Sequence, residues 1–446
     1  MNAPICDFVR DYAARQALRL HMPGHKGCGP LGVEALDITE IPGADSLYEA
    51  SGVIRESEEN ASQLFGCPTL YSTEGSSLCI RAMLSLAQRH AASQGRRPVI
   101  AAGRNAHKTF LSAAALLDLP VRWLMPRAQD AYLSCVLSAD ELDAQLSAMD
   151  EPPAAVYLTS PDYLGNTADI AALAAVCHRR GSLLLVDNAH GAYLRFLEPS
   201  RHPIDLGADL CCDSAHKTLP VLTGGAYLHL SPRAPAGLAA QAKDALALFG
   251  STSPSYLILQ SLDAANRALA EGYRERLAAF LPHVQRAKDA LRAMGHTLCG
   301  DEPLKLTLRT KPFGYRGTEL AALLGERGVV CEFADPDFLV MMLTPEIGER
   351  GLARMTQALA AVPRREAIQE APPAFCAAER VMGIREAMLA PAQRVPVEES
   401  EGRVLSSASV GCPPAVPVLV CGERIDRHAI RCVGYYGIKA CMVVKE

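Results

Sequence analysis

From residue 55 to residue 230 the sequence alternates segments of helical period with short apolar runs, and this alternation restricts the fold more than any other feature. Helical patterns over 55–66, Ser76–Ala92, Lys108–Leu117 and Ile170–Arg180 are interleaved with apolar runs at Pro98–Ala102, Val121–Met125, Ala154–Thr159, Leu183–Val186 and Leu210–Cys212. Strands joined through helices need crossover connections, so the expectation is the α/β class, a mainly parallel sheet covered by helices on both faces. Ser255–Met294 then reads as one helical stretch, and 304–362 as strand–helix–strand–helix, a second and smaller α/β unit. The stretch Ala371-Pro-Pro-Ala-Phe marks a linker, and 380–446 is a tail of short helix and strand signals.

The chain has 446 residues, 49% of them hydrophobic, which exceeds one ordinary core and argues against wholesale disorder. A net charge of −5 with Lys and Arg scattered singly argues against a nucleic-acid face. The first residues lack the basic and apolar regions of a signal peptide, and no segment offers an uninterrupted apolar span for a bilayer; a cytoplasmic protein without a membrane partner is expected. The 15 cysteines include no Cys-x-x-Cys pair, so they read as reduced, buried, small hydrophobes. His21 and His25 have i, i+4 spacing, but Pro23 and Gly24 between them break a helix, and no metal site is expected.

The chemistry gathers where open α/β sheets place it, after the carboxyl ends of strands. His107 follows the first of these runs, Asp162 and Tyr163 follow Ala154–Thr159, and Asp187 and His190 follow Leu183–Val186. Ser214, His216 and Lys217 follow Leu210–Cys212 and precede another largely apolar run. A lysine between two apolar segments needs a reason, because burying its charge is costly. Finally, Ser72-Thr-Glu-Gly-Ser-Ser opens a helix, whose free N–H groups and hydroxyls suit a phosphate. A phosphate cradle, an imidazole, a carboxylate and a lysine, in that order, are the equipment for pyridoxal 5'-phosphate. The lysine forms the Schiff base, the carboxylate holds the ring nitrogen protonated, and a flat ring stacks on the cofactor.

At these residues the sequence resembles the short-form bacterial ornithine/lysine/arginine decarboxylases of the aspartate-aminotransferase fold (fold type I). The resemblance runs through His21-Met-Pro-Gly-His-Lys-Gly, Asp37-Ile-Thr-Glu-Ile-Pro-Gly-Ala-Asp-Ser-Leu, Leu185-Val-Asp-Asn-Ala-His-Gly-Ala, Ser214-Ala-His-Lys-Thr-Leu, Ser251-Thr-Ser-Pro-Ser-Tyr and Gly411-Cys-Pro-Pro-Ala-Val-Pro-Val-Leu-Val-Cys-Gly-Glu. It implies a segment 1–50 near the active site, a cofactor-binding large domain 51–275, a small α/β domain 276–365 and a decarboxylase-type tail domain 366–446. It also implies roles: Lys217 carries the cofactor, Asp187 pairs with the pyridine nitrogen, and His107 stacks on the ring. Gly75, Ser76 and Ser77 form the phosphate turn, Ser214 and His216 assist beside the lysine, and Ala189 and His190 lie at the ring's other face. Thr252 and Ser253 are implied to reach the cofactor phosphate of a neighbouring subunit, so a homodimer with shared active sites is expected. Three residues depart from the family pattern: Ala415 and Cys421 in the tail, and Glu74, whose carboxylate is unfavourable beside a phosphate unless it points away.

The activity so implied is decarboxylation of a small basic amino acid (arginine, lysine or ornithine) to the corresponding amine, in polyamine-related metabolism. The same groups would serve transamination or β-elimination, and a catalytically silent regulator is the reading from another class. Arg309 and Arg316 are available in the small domain, with nothing to mark either as a carboxylate clamp. Glu40, Asp45, Asp162 and several carboxylates of the tail are all eligible to receive the substrate's distal cation, and the proton donor to the α-carbon is His216 or a residue outside these motifs.

Overall fold

The computed structural model describes residues 1–126, 132–412 and 416–445. In chain order the elements are α1 (Pro4–Ala14), α2 (Val53–Phe65), β1 (Thr69–Ser72), α3 (Gly75–Ser93), β2 (Ile100–Gly103), α4 (Lys108–Leu117), β3 (Val121–Leu124), α5 (Ala139–Ser147), β4 (Ala155–Thr159), α6 (Ile170–Arg179), β5 (Leu183–Asp187), β6 (Leu210–Asp213), α7 (Ala215–Thr218), β7 (Ala226–Leu230), α8 (Leu238–Ala247), α9 (Tyr256–Ala270) and α10 (Tyr273–Ala293). There follow β8 (Thr297–Cys299), β9 (Lys305–Arg309), α11 (Gly317–Glu326), β10 (Phe333–Ala334), β11 (Phe338–Met342) and α12 (Gly348–Ala360). The expected β–α alternation forms, with strand and helix ends moved by no more than the two residues separating Pro98 from Ile100. The single helix expected over Ser255–Met294 is two, because Gly272 takes a left-handed conformation (φ +80°) between α9 and α10.

Two compact units result, Met1–Gln94 with Leu183–Leu277, and Gly95–Ser182 with Ala278–Glu446. In the first, the strand order is β1-β7-β6-β5, parallel between β5 and β6 and antiparallel at the other two ladders. Every residue of β5, β6 and β7 is buried, as their near-continuous apolar sequences demand of strands covered on both faces. Helix α3 packs across β1, β5, β6 and β7. In the second unit β4, β2 and β3 lie side by side in parallel, and β10-β11-β9-β8 form a separate antiparallel sheet. The sequence patterns do not single out the antiparallel strands β1 and β7: a four-residue run such as Thr-Leu-Tyr-Ser carries too little periodicity, and its pairing to Ala226–Leu230 is long-range.

One buried polar network fastens the strand ends of the first unit. Asp213, the last residue of β6, is fully buried; its Oδ2 accepts from His202 Nε2 and from His229 Nε2 on β7, each at 3.1 Å. Its Oδ1 accepts from Asn188 Nδ2, just beyond β5, at 2.7 Å. Burial opposes ionisation of Asp213, but the two imidazoles outweigh it and hold the carboxyl well below the ordinary carboxylate range, while burial pushes His229 down. A carboxyl whose folded pKa lies below its unfolded value of about 3.9 stabilises the fold above that pH and loses the contribution as pH falls through the folded value. Asp213→Asn should therefore cost about 1–3 kcal/mol at neutral pH, because the amide leaves an imidazole N–H without its acceptor. Urea unfolding of the variant should also depend less on pH than the parent below about pH 4; parallel pH profiles would remove Asp213 as the source.

Candidate active site

The phosphate turn is built by Ser72, at the end of β1: its hydroxyl accepts from Glu74 N–H at 3.1 Å and donates to the Gly75 carbonyl at 2.9 Å. Gly75 opens α3 with φ +68°, a conformation that a side chain would strain, and its N–H donates to the Gly224 carbonyl at 2.7 Å. No side chain caps this 19-residue helix, so its positive end faces out past Ser76 and Ser77, both half-buried. Ser214 Oγ–H donates to Ser76 Oγ at 2.8 Å, joining this turn to the segment after β6. The His216 ring is fixed by an Nδ1–H bond to the Gly225 carbonyl at 2.9 Å, and its Cε1 lies 3.9 Å from where a Cβ on Gly75 would stand. Lys217 follows on the one-turn helix α7, half-buried, its backbone N–H bonded to the Ser214 carbonyl at 3.0 Å.

Asp187 ends β5 and is 3% exposed, with Oδ1 accepting from Ala189 N at 3.2 Å and Cys212 Sγ at 3.6 Å. Ala189 and His190 are buried beyond it. Gly75, Ser76, Ser77, Asp187, Ala189, His190, Ser214, His216 and Lys217 thus all fall in one compact unit, on the turn before α3 and at the ends of β5 and β6. His107 belongs to the other unit, at the start of α4, where its Nδ1 accepts from Thr109 N–H at 3.2 Å; the neutral ring then carries its proton on Nε2.

Thr252 and Ser253 are exposed, and the neighbouring Ser251 N–H donates to Glu74 Oε1 at 2.7 Å. This bond gives the unusual carboxylate at position 74 a donor of its own. Of the departures in the tail, Cys421 is buried, and its N–H bonds the Ala408 carbonyl at 3.4 Å, which proline could not do; Ala415 lies outside the described residues. The eligible distal carboxylates separate cleanly. Asp45 accepts from Ser46, Ser51, Gly52, Ile54 and Arg55 backbone N–H groups and so starts α2. Asp162 accepts from Leu164 N, Asn166 N and Asn166 Nδ2, holding its own turn. Glu40 is exposed and has no such backbone claim among the described residues. Arg316 is paired with Glu370 at 2.7 Å and Arg309 lies over the Phe338 ring, so neither is set aside as a carboxylate clamp.

The residues present fit pyridoxal phosphate: a helix start uncapped by side chains with two converging hydroxyls for an anion, a buried carboxylate at the end of β5, and an amine three residues after Ser214. For a metal, His202, Cys211 and Asp213 bring ligand atoms within 4.8 Å of one another, but those of His202 and Asp213 are already hydrogen-bonded to each other, and burial pushes the Cys211 thiol up. His21 and His25 diverge, to Tyr12 (2.6 Å) and Asp37 (3.1 Å).

This fold is that of pyridoxal-phosphate enzymes of fold type I: a lysine decarboxylase from Francisella novicida superposes with a TM-score of 0.80 over 99% of this chain and 81% of its own, at 16% identity. The chain belongs to the Orn/Lys/Arg decarboxylase family, whose major-domain model matches residues 3–298. Arginine decarboxylases of Halalkalibacterium halodurans (28% identical, over 95% of this chain and 91% of the relative) and Bacillus subtilis (26%, over 96% and 92%) are similar along nearly their whole length. The chain is a pyridoxal-phosphate-dependent decarboxylase that acts on a basic amino acid.

One residue at this corner escapes sequence reasoning. The Tyr48 hydroxyl is buried without a hydrogen-bond partner among the described residues; burial first, then Glu74 and Cys79, push it up to about 12. Nothing in Ser-Leu-Tyr-Glu-Ala signals this, because the hydroxyl's neighbours are distant in sequence. Tyr48→Phe should relieve a burial cost of about 1–3 kcal/mol and raise the melting temperature of the cofactor-free chain by roughly 2–4 °C or more. A lower melting temperature would show that the hydroxyl has a partner.

Proposed function

We propose that this chain is an arginine decarboxylase that releases carbon dioxide and the corresponding guanidino-amine for polyamine synthesis in the cytoplasm. The observation that carries the catalytic reading is the joint placement of Lys217, Asp187 and the Ser76–Ser214 hydroxyl pair in one unit at the ends of adjoining strands. Arginine is favoured over lysine because four relatives similar in sequence over nearly the full chain carry that activity in their names, whereas the lysine decarboxylase likeness is one of fold.

Lys217 Nζ is the group that would hold the cofactor covalently, and the start of α3 with Ser76, Ser77 and Ser214 would hold its phosphate. When bound, pyridoxal phosphate supplies an electron sink for the pair left when the α-carboxylate departs as carbon dioxide. Asp187, buried at the end of β5, would keep a proton on the ring nitrogen. His107 would stack, with its orientation set by the Thr109 bond, and Ala189 would leave room on the opposite face. His216, its Nδ1–H committed to Gly225, presents Nε2 as an acceptor when neutral and can give up a proton there only after gaining one. With Asp45 and Asp162 committed to backbone N–H groups, Glu40 and the carboxylates of the tail are those left to meet the substrate's guanidinium. No helix among the described residues is long and apolar enough to cross a membrane, in keeping with a cytoplasmic enzyme.

Carbon-dioxide release from a panel of arginine, lysine, ornithine and a neutral amino acid should be fastest with arginine. Lys217→Ala should abolish release without unfolding the chain. Faster release from lysine or ornithine would reassign the substrate, and a Lys217→Ala variant near parental activity would remove the catalytic reading itself.

Thr252 and Ser253 are exposed, and we read them as serving a second copy of the chain in a homodimer with shared sites. Mixing and refolding Lys217→Ala chains with Thr252→Ala/Ser253→Ala chains should then restore one working centre per mixed dimer, lifting activity well above either parent. Mixed dimers that form without recovery would mean that each chain completes its own site.

A further inference from the structure

Arg104 stands just beyond β2 and three residues before His107, and it is 1% exposed. A guanidinium so buried needs a counter-charge. Glu423, far along in the tail, supplies it: Arg104 Nη2 lies 3.3 and 3.1 Å from the two carboxylate oxygens and also donates to the Val418 carbonyl at 3.2 Å. Glu423 is 3% exposed, and its Oε2 accepts a further bond from Val420 N–H at 2.9 Å. The guanidinium lies 5.3 Å from the centre of the Trp123 ring and 5.8 Å from that of Phe375. On the other side of Arg104 the chain has no slack, because Ala106 N–H closes back on the Gly103 carbonyl at 3.0 Å and His107 immediately caps α4.

A buried ion pair is a poor device for stability, since apolar side chains of similar volume do as well or better; what it supplies is one defined geometry. Here that geometry belongs to the turn carrying His107. We propose that Glu423 is a positioning residue for His107: acting through Arg104, it fixes the turn from which the imidazole meets the cofactor. The tail is then part of the machinery of the site, and its Gly422-Glu423 pair has a function separate from the tail's own fold. This inference rests on the reading that His107 stacks on the cofactor ring.

The test is a double-mutant cycle read on the dissociation constant of pyridoxal phosphate, titrated into cofactor-free His107→Ala, Glu423→Gln and the double variant, each shown folded by its melting transition. Glu423→Gln should weaken binding by about 2- to 10-fold in the parent, the size of a stacking contact, and should change nothing further in the His107→Ala background. Equal losses in both backgrounds, or an unchanged constant in folded Glu423→Gln, would overturn the positioning role while leaving His107 at the cofactor. An unchanged constant in His107→Ala would overturn the stacking reading and the positioning role together. Should Glu423→Gln not fold, Arg104→Met with Glu423→Leu replaces the pair by apolar groups, and the same cycle against His107→Ala decides by the same outcomes.

Discussion

The carboxylate of Asp213 is the point on which the first unit turns. Three strands are tied through it: β6, whose last residue carries it; β5, through Asn188 just beyond its end; and β7, through His229 within the strand. The residues on either side of those contacts are Asp187 and the Ser214–Lys217 segment, so the network that satisfies a buried charge also sets the spacing between a carboxylate and a lysine. A parallel sheet leaves its strand ends without partners in the ladder, and the side chains there are held only as well as the groups beneath them. Here those groups are charged and wholly buried, with a carboxylate answered by two imidazoles and an amide.

Much of this was legible in the residues. Periodicity located the helices and strands of the β–α alternation, and a ligand-binding sheet concentrates its chemistry at predictable strand ends, so position alone made Asp187 and Lys217 candidates. What sequence could not supply was commitment. Asp45 and Asp162 are carboxylates in suitable places, yet each is consumed by backbone N–H groups of its own neighbourhood, and a count of acidic residues cannot see that. Arg104 and Tyr48 were invisible for the converse reason, since what makes them unusual is burial against residues distant in the chain.

Glu74 shows how a local conflict can be settled by a non-local bond. Read alone, a carboxylate at the head of a helix proposed to hold a phosphate is a mistake of charge. With the Ser251 N–H on its Oε1, it becomes the link between the turn before α3 and the hydroxyl-rich segment before α9. The same side chain can therefore hold two loops in register as long as its second oxygen stays turned from the anion.

The burial of the cysteines has a consequence of a different kind. Only a thiolate reacts readily with an electrophile or an oxidant. Burial pushes Cys6, Cys67 and Cys421 up to about 12 and Cys135 to about 11, and it raises Cys211 and Cys212 within β6 well above the ordinary thiol range. Cys28 and Cys376 are exposed, one in the N-terminal segment and one in the stretch after Ala371-Pro-Pro-Ala-Phe. A chain unusually rich in sulfur thus presents a chemically quiet interior and two addressable handles, where a fluorophore or spin label could be attached without first stripping the native thiols.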